Sequence, residues 1–218
     1  NIQDEGGTKE IITKVSEKII NEIEIINNIK RTPIPISELN VALQCGGSDS
    51  YSGITANPAL GIASDILINH GGSSILSETT EIYGAEHLLY ERSINKKNIE
   101  KIEKQIEWWK EHLTKNHSTL DNNPSPGNKK GGLTTILEKS LGAVAKSGNS
   151  PMVDVLDYGE PVKTKGFNFM NGPGYDPVSV TGQVASGANI ICFTTGRGSC
   201  FGFKPTPSIK IATNTNMY

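Results

Sequence analysis

The sequence lacks the features that mark membrane-spanning, secreted and nucleic-acid-binding proteins. No apolar run approaches the roughly 20 residues of a membrane span, and the N-terminal segment has no apolar core of a signal peptide. Lysine and arginine total 21 against 23 acidic residues, without a long basic run, so the sequence gives no sign of the basic patch that nucleic-acid-binding proteins carry. Three cysteines, an odd number in 218 residues, argue against a disulfide scaffold and favour a reducing, cytoplasmic setting.

What the sequence does contain is an alternation of helical and strand-like patterns. Isoleucine and valine recur at steps of three and four from about Thr8 to Asn28, which predicts an amphipathic helix. Short apolar segments predict strands at residues 40–44, 74–77, 152–156 and 190–194, with a fifth at about 210–213. The alternation predicts an α/β fold, with a mostly parallel sheet flanked by helices in a Rossmann-like layered architecture.

The segments between these strands predict helices and one long polar loop. Helices are predicted at about residues 57–69, 84–112 (broken near 92–95), 133–146 and 176–188, and the polar loop at 114–132. Polar, glycine-rich stretches follow four of the strands, after Leu43, Ser77, Leu156 and Phe193. Ligands of open α/β sheets bind beyond the carboxyl ends of the strands, so we expect a site there.

Two of these strand ends carry side chains that are suited to chemistry. Cys45 precedes two glycines that would let a ligand approach the backbone; its thiolate could bind a metal or attack a carbonyl, or the residue could simply be buried at a turn. Glu78 and Glu81 follow the second strand, and His87 follows six residues later. These three could serve as metal ligands or as acid and base, but acidic residues are also favoured at a helix N-terminus.

Cationic side chains point to an anionic ligand. The loop Asn123–Gly132 holds two lysines among turn residues and could either bind an anion through its backbone N–H groups or be a solvated surface loop. On the next helix, Glu138 and Lys139 could form an exposed pair. Arg197 lies between two glycines at a strand end, and its planar guanidinium matches a carboxylate, which favours an acidic substrate.

Several stretches of the sequence resemble the altronate/galactarate dehydratase family. They occur in one order from about residue 39 to the end of the chain, which makes the resemblance specific. The matching stretches are Leu43–Asp49, Ser52–Gly61, Asn123–Lys129, Gly131–Ser140 and Phe193–Gly198. Two more, Leu76–His87 and Gly172–Pro177, are similar to the altronate branch of the family. A related sulfo-lyase for sulfolactate shares some of these stretches.

The resemblance implies a hydro-lyase that removes water from a sugar acid, D-altronate to 2-keto-3-deoxy-D-gluconate. It implies catalytic roles, in an order that the sequence does not fix, for Glu78, Glu81, His87 and Lys139. Cys45 would be a metal ligand, and Arg197 or Lys129 would clamp the substrate carboxylate. The substrate-binding set is Ser48, Asp49, Asn128, Lys129 and Arg197. Galactarate dehydration, sulfolactate sulfo-lyase chemistry and non-catalytic sugar-acid binding are the alternatives.

The resemblance also implies a cofactor and a larger context. Family members depend on iron or another divalent metal, so Fe²⁺ or Mn²⁺ is expected, with a small sugar acid as the partner molecule and a homodimer allowed. We expect residues 1–218 to be a single α/β catalytic-core domain of a longer chain. Because the family carries further cysteines that are absent here, this chain alone should fold but bind metal poorly and be inactive.

Overall fold

The computed structural model describes residues 1–218 as two compact units, residues 1–34 and residues 35–218. The first unit contains helix α1, Thr8–Asn27, at the position that its isoleucine and valine spacing predicts. None of the side chains of α1 is buried. Neither α1 nor any later helix combines the length and the apolar character that crossing a membrane requires.

The second unit is built on a six-stranded sheet in which all paired strands are parallel. The strands are β1 (Asn40–Cys45), β2 (Ser73–Leu76), β3 (Met152–Leu156), β4 (Phe167–Met170), β5 (Ile190–Thr195) and β6 (Ser208–Ala212). The predicted α/β fold with a mostly parallel sheet is therefore confirmed. Strand β4 was not predicted, because it is four residues long and carries Asn168 among its apolar residues.

Helices connect the strands and flank the sheet. They are α2 (Ala56–Asn69), α3 (His87–Tyr90), α4 (Lys96–Lys115), α5 (Pro126–Lys130), α6 (Ile136–Ala145) and α7 (Asp176–Ala185). The predicted break near residues 92–95 is confirmed, and α4 begins after Asn95 because that side chain accepts a hydrogen bond from the Asn98 N–H. The predicted polar loop at 114–132 contains α5, whose start is fixed by a capping box between Ser125 and Asn128.

Apolar side chains cover both faces of the sheet. Neighbouring strand residues point to opposite faces, so Leu43 and Leu76 join one buried cluster with Phe167, whereas Ala42 and Ile75 join the other. Burial on both faces is usual for parallel sheets.

The strand order places β1 at the centre of the sheet. The order is β3-β4-β2-β1-β5-β6, so the chain leaves β1 in one direction through β2 and returns to its other side with β5. Such a reversal opens a crevice beyond the carboxyl ends of the two strands. Cys45 is the last residue of β1, and Arg197 follows the end of β5 by two residues, so both lie at this crevice.

Candidate active site

A cleft of about 180 Å³ lies at the carboxyl ends of the central strands. Its lining includes Cys45, Ser48, Glu78, Glu81, Asn123, Ser125, Asn128, Lys139, Tyr175, Asp176 and Arg197. A larger hollow of about 870 Å³ shares Arg197 with the cleft, but its lining contains none of Cys45, Glu78, Glu81 and Lys139. The smaller cleft is therefore the candidate active site.

Five buried side chains with acidic or basic groups meet beneath and along this cleft. Cys45, Glu78, Glu81, Lys139 and Lys146 are each at most 8% exposed. The Lys146 Nζ atom lies 2.9 Å from the Cys45 Sγ atom and 4.0 Å from Glu78 Oε2. The Lys139 ammonium donates to Glu81 Oε2 and lies 4.0 Å from the same sulfur. Buried charges are retained only when they are paired or hold a cation, so this cluster indicates function more strongly than stability.

A single amide fixes two carboxylates of the cleft. The Gln44 Nε2 group donates to Glu78 Oε1 and to Asp176 Oδ1, each at 2.8 Å. The side-chain oxygen of Gln44, Oε1, accepts a hydrogen bond from the hydroxyl of Ser179 at 3.0 Å, which determines the orientation of the side-chain amide. Glu78 and Asp176, which lie 98 positions apart in the sequence, are thereby held side by side.

Burial and neighbouring charges shift the carboxyl groups in different directions. Burial raises the pKa of Glu78 well above its ordinary value, and the Glu81 carboxylate adds to the rise although Lys146 opposes it. Burial also acts to raise the pKa of Glu81, but Lys139 and Lys146 outweigh it and the pKa is lowered. The pKa of the partly buried Asp176 is raised by burial and by Glu81. Glu81 is therefore ionised, whereas the positive charge near Glu78 is too small to offset the effect of burial on its pKa.

The two lysines of the cluster remain cationic. Burial acts to lower the pKa of Lys139, but the Cys45 sulfur and the Glu81 and Glu78 carboxylates outweigh it and the pKa is raised. The pKa of Lys146 is raised in the same way, by Cys45 first and then by the two glutamates. Both ammonium groups are therefore fixed positive charges among the acidic side chains.

Glu78 enters the cleft from an unusual backbone conformation. Its φ of 75° and ψ of 69° place it in the left-handed region, which non-glycine residues seldom adopt. The residue is 2% exposed, and it directly precedes the short 3₁₀ turn Thr79–Glu81. This backbone conformation turns the chain so that Glu78 and Glu81 both reach Cys45.

Comparison with known proteins places the chain in a family. The family described as D-galactarate/Altronate dehydratase, C-terminal, matches residues 36–218. The chain belongs to this family. The altronate dehydratase of Bacillus subtilis (strain 168) is 48% identical over 92% of this chain, and the galactarate dehydratase (L-threo-forming) of Escherichia coli (strain K12) is 41% identical over 100% of it. The (2R)-sulfolactate sulfo-lyase subunit beta of Chromohalobacter salexigens is 35% identical over 97%.

The dehydratase family is thus the one that the sequence motifs predicted. The chain spans 40% and 42% of the lengths of the two dehydratases and 55% of the length of the sulfo-lyase subunit. These relatives carry different names for their activities, so membership shows a sugar-acid dehydratase family and does not fix the substrate.

The structure brings together most, but not all, of the predicted catalytic residues of this dehydratase family member. Cys45, Glu78, Glu81 and Lys139 form one buried group, and the exposed-pair interpretation of Lys139 is wrong because its ammonium is turned inward to Glu81. His87 is an exposed residue at the start of α3 and does not line the cleft. Its catalytic role gains no support from its position.

The predicted substrate-binding residues divide into two groups. Arg197 lines the cleft, and its Nε atom donates to the Ser48 carbonyl oxygen at 3.4 Å, to which Asn128 Nδ2 also donates at 3.0 Å. Asp49, in contrast, uses its carboxylate within the fold, accepting from Ser52, Thr213 and the Tyr51 N–H among others. Lys129 is exposed on α5 and does not line the cleft. The binding roles of all five residues stay predictions.

The sequence patterns missed three residues of the site, of which Asp176 lines the cleft and Lys146 and Gln44 contact its buried side chains. Lys146 follows Lys139 by seven residues, so both face the same side of α6 as the buried Ala143, and a lysine at such a position was the available signal. Asp176 follows a glycine-rich turn at the start of α7, which is the same context that marked the other strand ends. Gln44 gave no signal, because a polar residue inside a strand usually faces solvent.

The donor set of the cluster fits a divalent transition metal. One ligand atom from each of Cys45, Glu78 and Glu81 lies within 4.8 Å of the others, so the three side chains could hold one metal ion. Mixed sulfur and oxygen donors suit transition metals better than magnesium or calcium. Gln44 holds Asp176 beside Glu78, which places a third carboxyl group next to these donors.

Proposed function

We propose that the protein dehydrates D-altronate to 2-keto-3-deoxy-D-gluconate. The observation that carries the proposal is the cleft in which buried Cys45, Glu78 and Glu81 meet Lys139, with Arg197 at the rim. A cleft with acidic, basic and metal-binding groups suits the removal of a weakly acidic proton next to a carboxylate. The altronate assignment rests on the 48% identity to the Bacillus subtilis enzyme of that name.

Arg197 holds the substrate carboxylate in this proposal. The guanidinium packs against the backbone of Gly127, where a Cβ atom would lie only 2.7 Å from Nη1. Its remaining N–H groups can donate to both oxygens of a carboxylate in the parallel geometry that arginine favours. The substrate would then lie with its C2 and C3 atoms over Lys139 and Asp176, which also line the cleft.

Asp176 and Lys139 then share the proton and charge chemistry. The raised pKa of Asp176, caused first by burial, makes this carboxylate a stronger base for the C2 proton while leaving it reachable from the cleft. Lys139 stays cationic and stabilises the enolate charge that develops on the substrate carboxylate. The C3 hydroxyl leaves as water with the proton that Asp176 has taken from C2, which gives an enol. The enol loses its hydroxyl proton and gains a proton at C3 to give the 2-keto-3-deoxy acid.

The cofactor of the proposal is Fe²⁺ or Mn²⁺, held by Cys45, Glu78 and Glu81. When bound, such an ion supplies Lewis-acid polarisation of substrate oxygen atoms. In the absence of the ion, Glu81 is paired with Lys139. The positive charge near Glu78 does not offset its burial, so a bound cation would stabilise both carboxylates.

Galactarate dehydration is the second candidate function. The galactarate dehydratase of Escherichia coli aligns with the whole of this chain, and a diacid would suit the cationic rim formed by Arg197 and the neighbouring Lys130. Incubating reduced protein anaerobically with Fe²⁺ or Mn²⁺ and with altronate, galactarate or sulfolactate in parallel distinguishes the candidates. We expect 2-keto acid from altronate at the highest kcat/KM. A higher value with galactarate would replace the proposal, and no product from any substrate would contradict it and agree with the inactivity expected for this chain alone.

Arg197→Lys tests the clamp. Lysine keeps the charge but loses the planar fork, so transition-state binding should weaken by about 1.5–3 kcal/mol, the range for hydrogen bonds to charged groups. This corresponds to a fall in kcat/KM for altronate on the order of tenfold to a hundredfold. Arg31→Lys, the same substitution at an exposed position of the first unit, is the control. An unchanged kcat/KM in Arg197→Lys would refute the clamp.

A further inference from the structure

Lys146 is placed where it can act on the metal site but not on the substrate. It is completely buried, and it does not line the cleft, although its Nζ atom lies 2.9 Å from Cys45 Sγ. The backbone around it is fixed, because the Arg92 guanidinium donates to the carbonyl oxygens of Ser147, Gly148 and Ser150. The ammonium therefore contacts Cys45 without itself lining the cleft.

This position conflicts with an ion bound to the same donors. A metal coordinated by Cys45 would lie about 2.3 Å from the sulfur, and the ammonium lies 2.9 Å from that sulfur and 4.0 Å from Glu78 Oε2. Both cations would lie against one sulfur, so they repel each other in a site without bulk water. A thiolate sulfur can accept a hydrogen bond and bind a metal at the same time, so this repulsion, rather than a shortage of lone pairs, would weaken metal binding.

We propose that Lys146 is a built-in counter-ion that competes with the divalent metal for Cys45 and Glu78. It keeps the metal-free site folded by pairing the buried acidic groups, and it weakens the affinity for the metal. The inference rests on the metal site of the proposed function, but it is independent of the substrate. It makes Lys146 a positioning residue that acts through the ligands.

Lys146→Met removes the charge and keeps the length of the side chain. Co²⁺ is titrated anaerobically into the reduced protein, and the sulfur-to-cobalt charge-transfer absorption reports binding at Cys45. We expect the variant to bind Co²⁺ at least about tenfold more tightly than the wild type, because one repulsive charge has gone. Without metal it should unfold at a lower urea concentration than the wild type, and saturating Co²⁺ should reverse the order. Lys163→Met, at an exposed lysine paired with Glu160, should change neither quantity.

The outcomes separate this inference from the metal site itself. Equal or weaker Co²⁺ affinity in Lys146→Met, with the sulfur band intact, overturns the competition and leaves the metal site standing. A sulfur band that survives in Cys45→Ser, or Co²⁺ binding without any such band, removes the ligand assignment and the inference with it. If Lys146→Met does not fold, NMR spectra of wild-type protein labelled with ¹⁵N-lysine test the proposal instead. Zn²⁺ should shift the signal of the buried Lys146 ammonium, and an unshifted signal in zinc-saturated protein overturns the proposal.

Discussion

At the scale of single residues, the candidate site depends on a backbone conformation that side chains disfavour. Glu78 has a left-handed conformation with φ of 75°, which costs a residue with a Cβ atom about 1–2 kcal/mol. Its side chain is also buried among other acidic groups. Both effects oppose folding, so the carboxylate is placed there at the expense of stability, as is common for functional residues.

Glu78→Gly and Glu78→Ala together measure the backbone contribution. Both variants remove the carboxylate, but only glycine adopts the left-handed conformation freely. We expect Glu78→Gly to be more stable than Glu78→Ala by about 1 kcal/mol, the reverse of the order at ordinary positions. Urea unfolding of metal-free protein gives both free energies. An alanine variant as stable as the glycine variant would show that the backbone at Glu78 is not strained.

Site residues could be predicted from the sequence where their position at the end of a strand determines their location. Cys45, Glu78 and Arg197 each follow a strand closely, and parallel strands bring their carboxyl ends to one edge, so their meeting in one cleft followed from the pattern. Lys146 could not be predicted in this way, because a lysine near a helix end normally lies in solvent. Its burial depends on partners that lie 68 and 101 positions away, Glu78 and Cys45, whose side-chain contacts local patterns do not encode.

At the scale of elements, close packing of α2 against the end of α6 positions the two buried lysines. Gly61 in α2 lies against the backbone of Ala145 and Gly148, and Gly53 before α2 lies against Gly142. Because these glycines have no side chains, α6 lies close enough to α2 for Lys139 and Lys146 to reach Cys45. The sequence predicted both helices, but it did not predict which of their glycines form the contact.

Gly61→Ala should therefore be destabilising although alanine is the better helix former. The new Cβ atom would lie 2.8 Å from the Gly148 nitrogen and closer still to the Ala145 carbonyl oxygen. Overpacking of this kind costs about 1–3 kcal/mol, which exceeds the gain in helix propensity of about 1 kcal/mol. Chemical denaturation should show a net loss of stability. Gly202→Ala is the matched control, since its Cβ atom would meet nothing within 4 Å; equal stabilities of the two variants would contradict close packing at Gly61.

At the scale of the whole molecule, the core and the candidate site both lie within residues 35–218. Every residue of the two buried clusters comes from Val41 or later, and the cleft is lined by residues from Cys45 to Arg197. The sheet is continuous through all six strands of this unit. Residues 35–218 therefore contain what a cooperative fold of this size requires.

Deletion of residues 1–34 should leave the second unit folded. The expected result is a single cooperative urea transition, with a midpoint close to that of the intact chain, because no buried cluster loses a member. Deletion of residues 1–45 is the contrasting variant, since it also removes β1 from the centre of the sheet and should abolish the transition. Loss of cooperative unfolding after removal of residues 1–34 alone would show that the second unit is not self-sufficient.

The central position of β1 has a consequence for synthesis on the ribosome. One edge of β1 pairs with β2, which emerges soon afterwards, but the other edge pairs with β5 through contacts such as Val41 with Ile190. Val41 pairs with Ser74 in β2 and with Ile190 in β5, so about 116 residues must be translated between the two pairings, which takes roughly 6–23 s at 5–20 residues per second. During that interval the β5-facing edge of β1 stays unpaired on the nascent chain, and an unpaired strand edge can pair with the wrong strand.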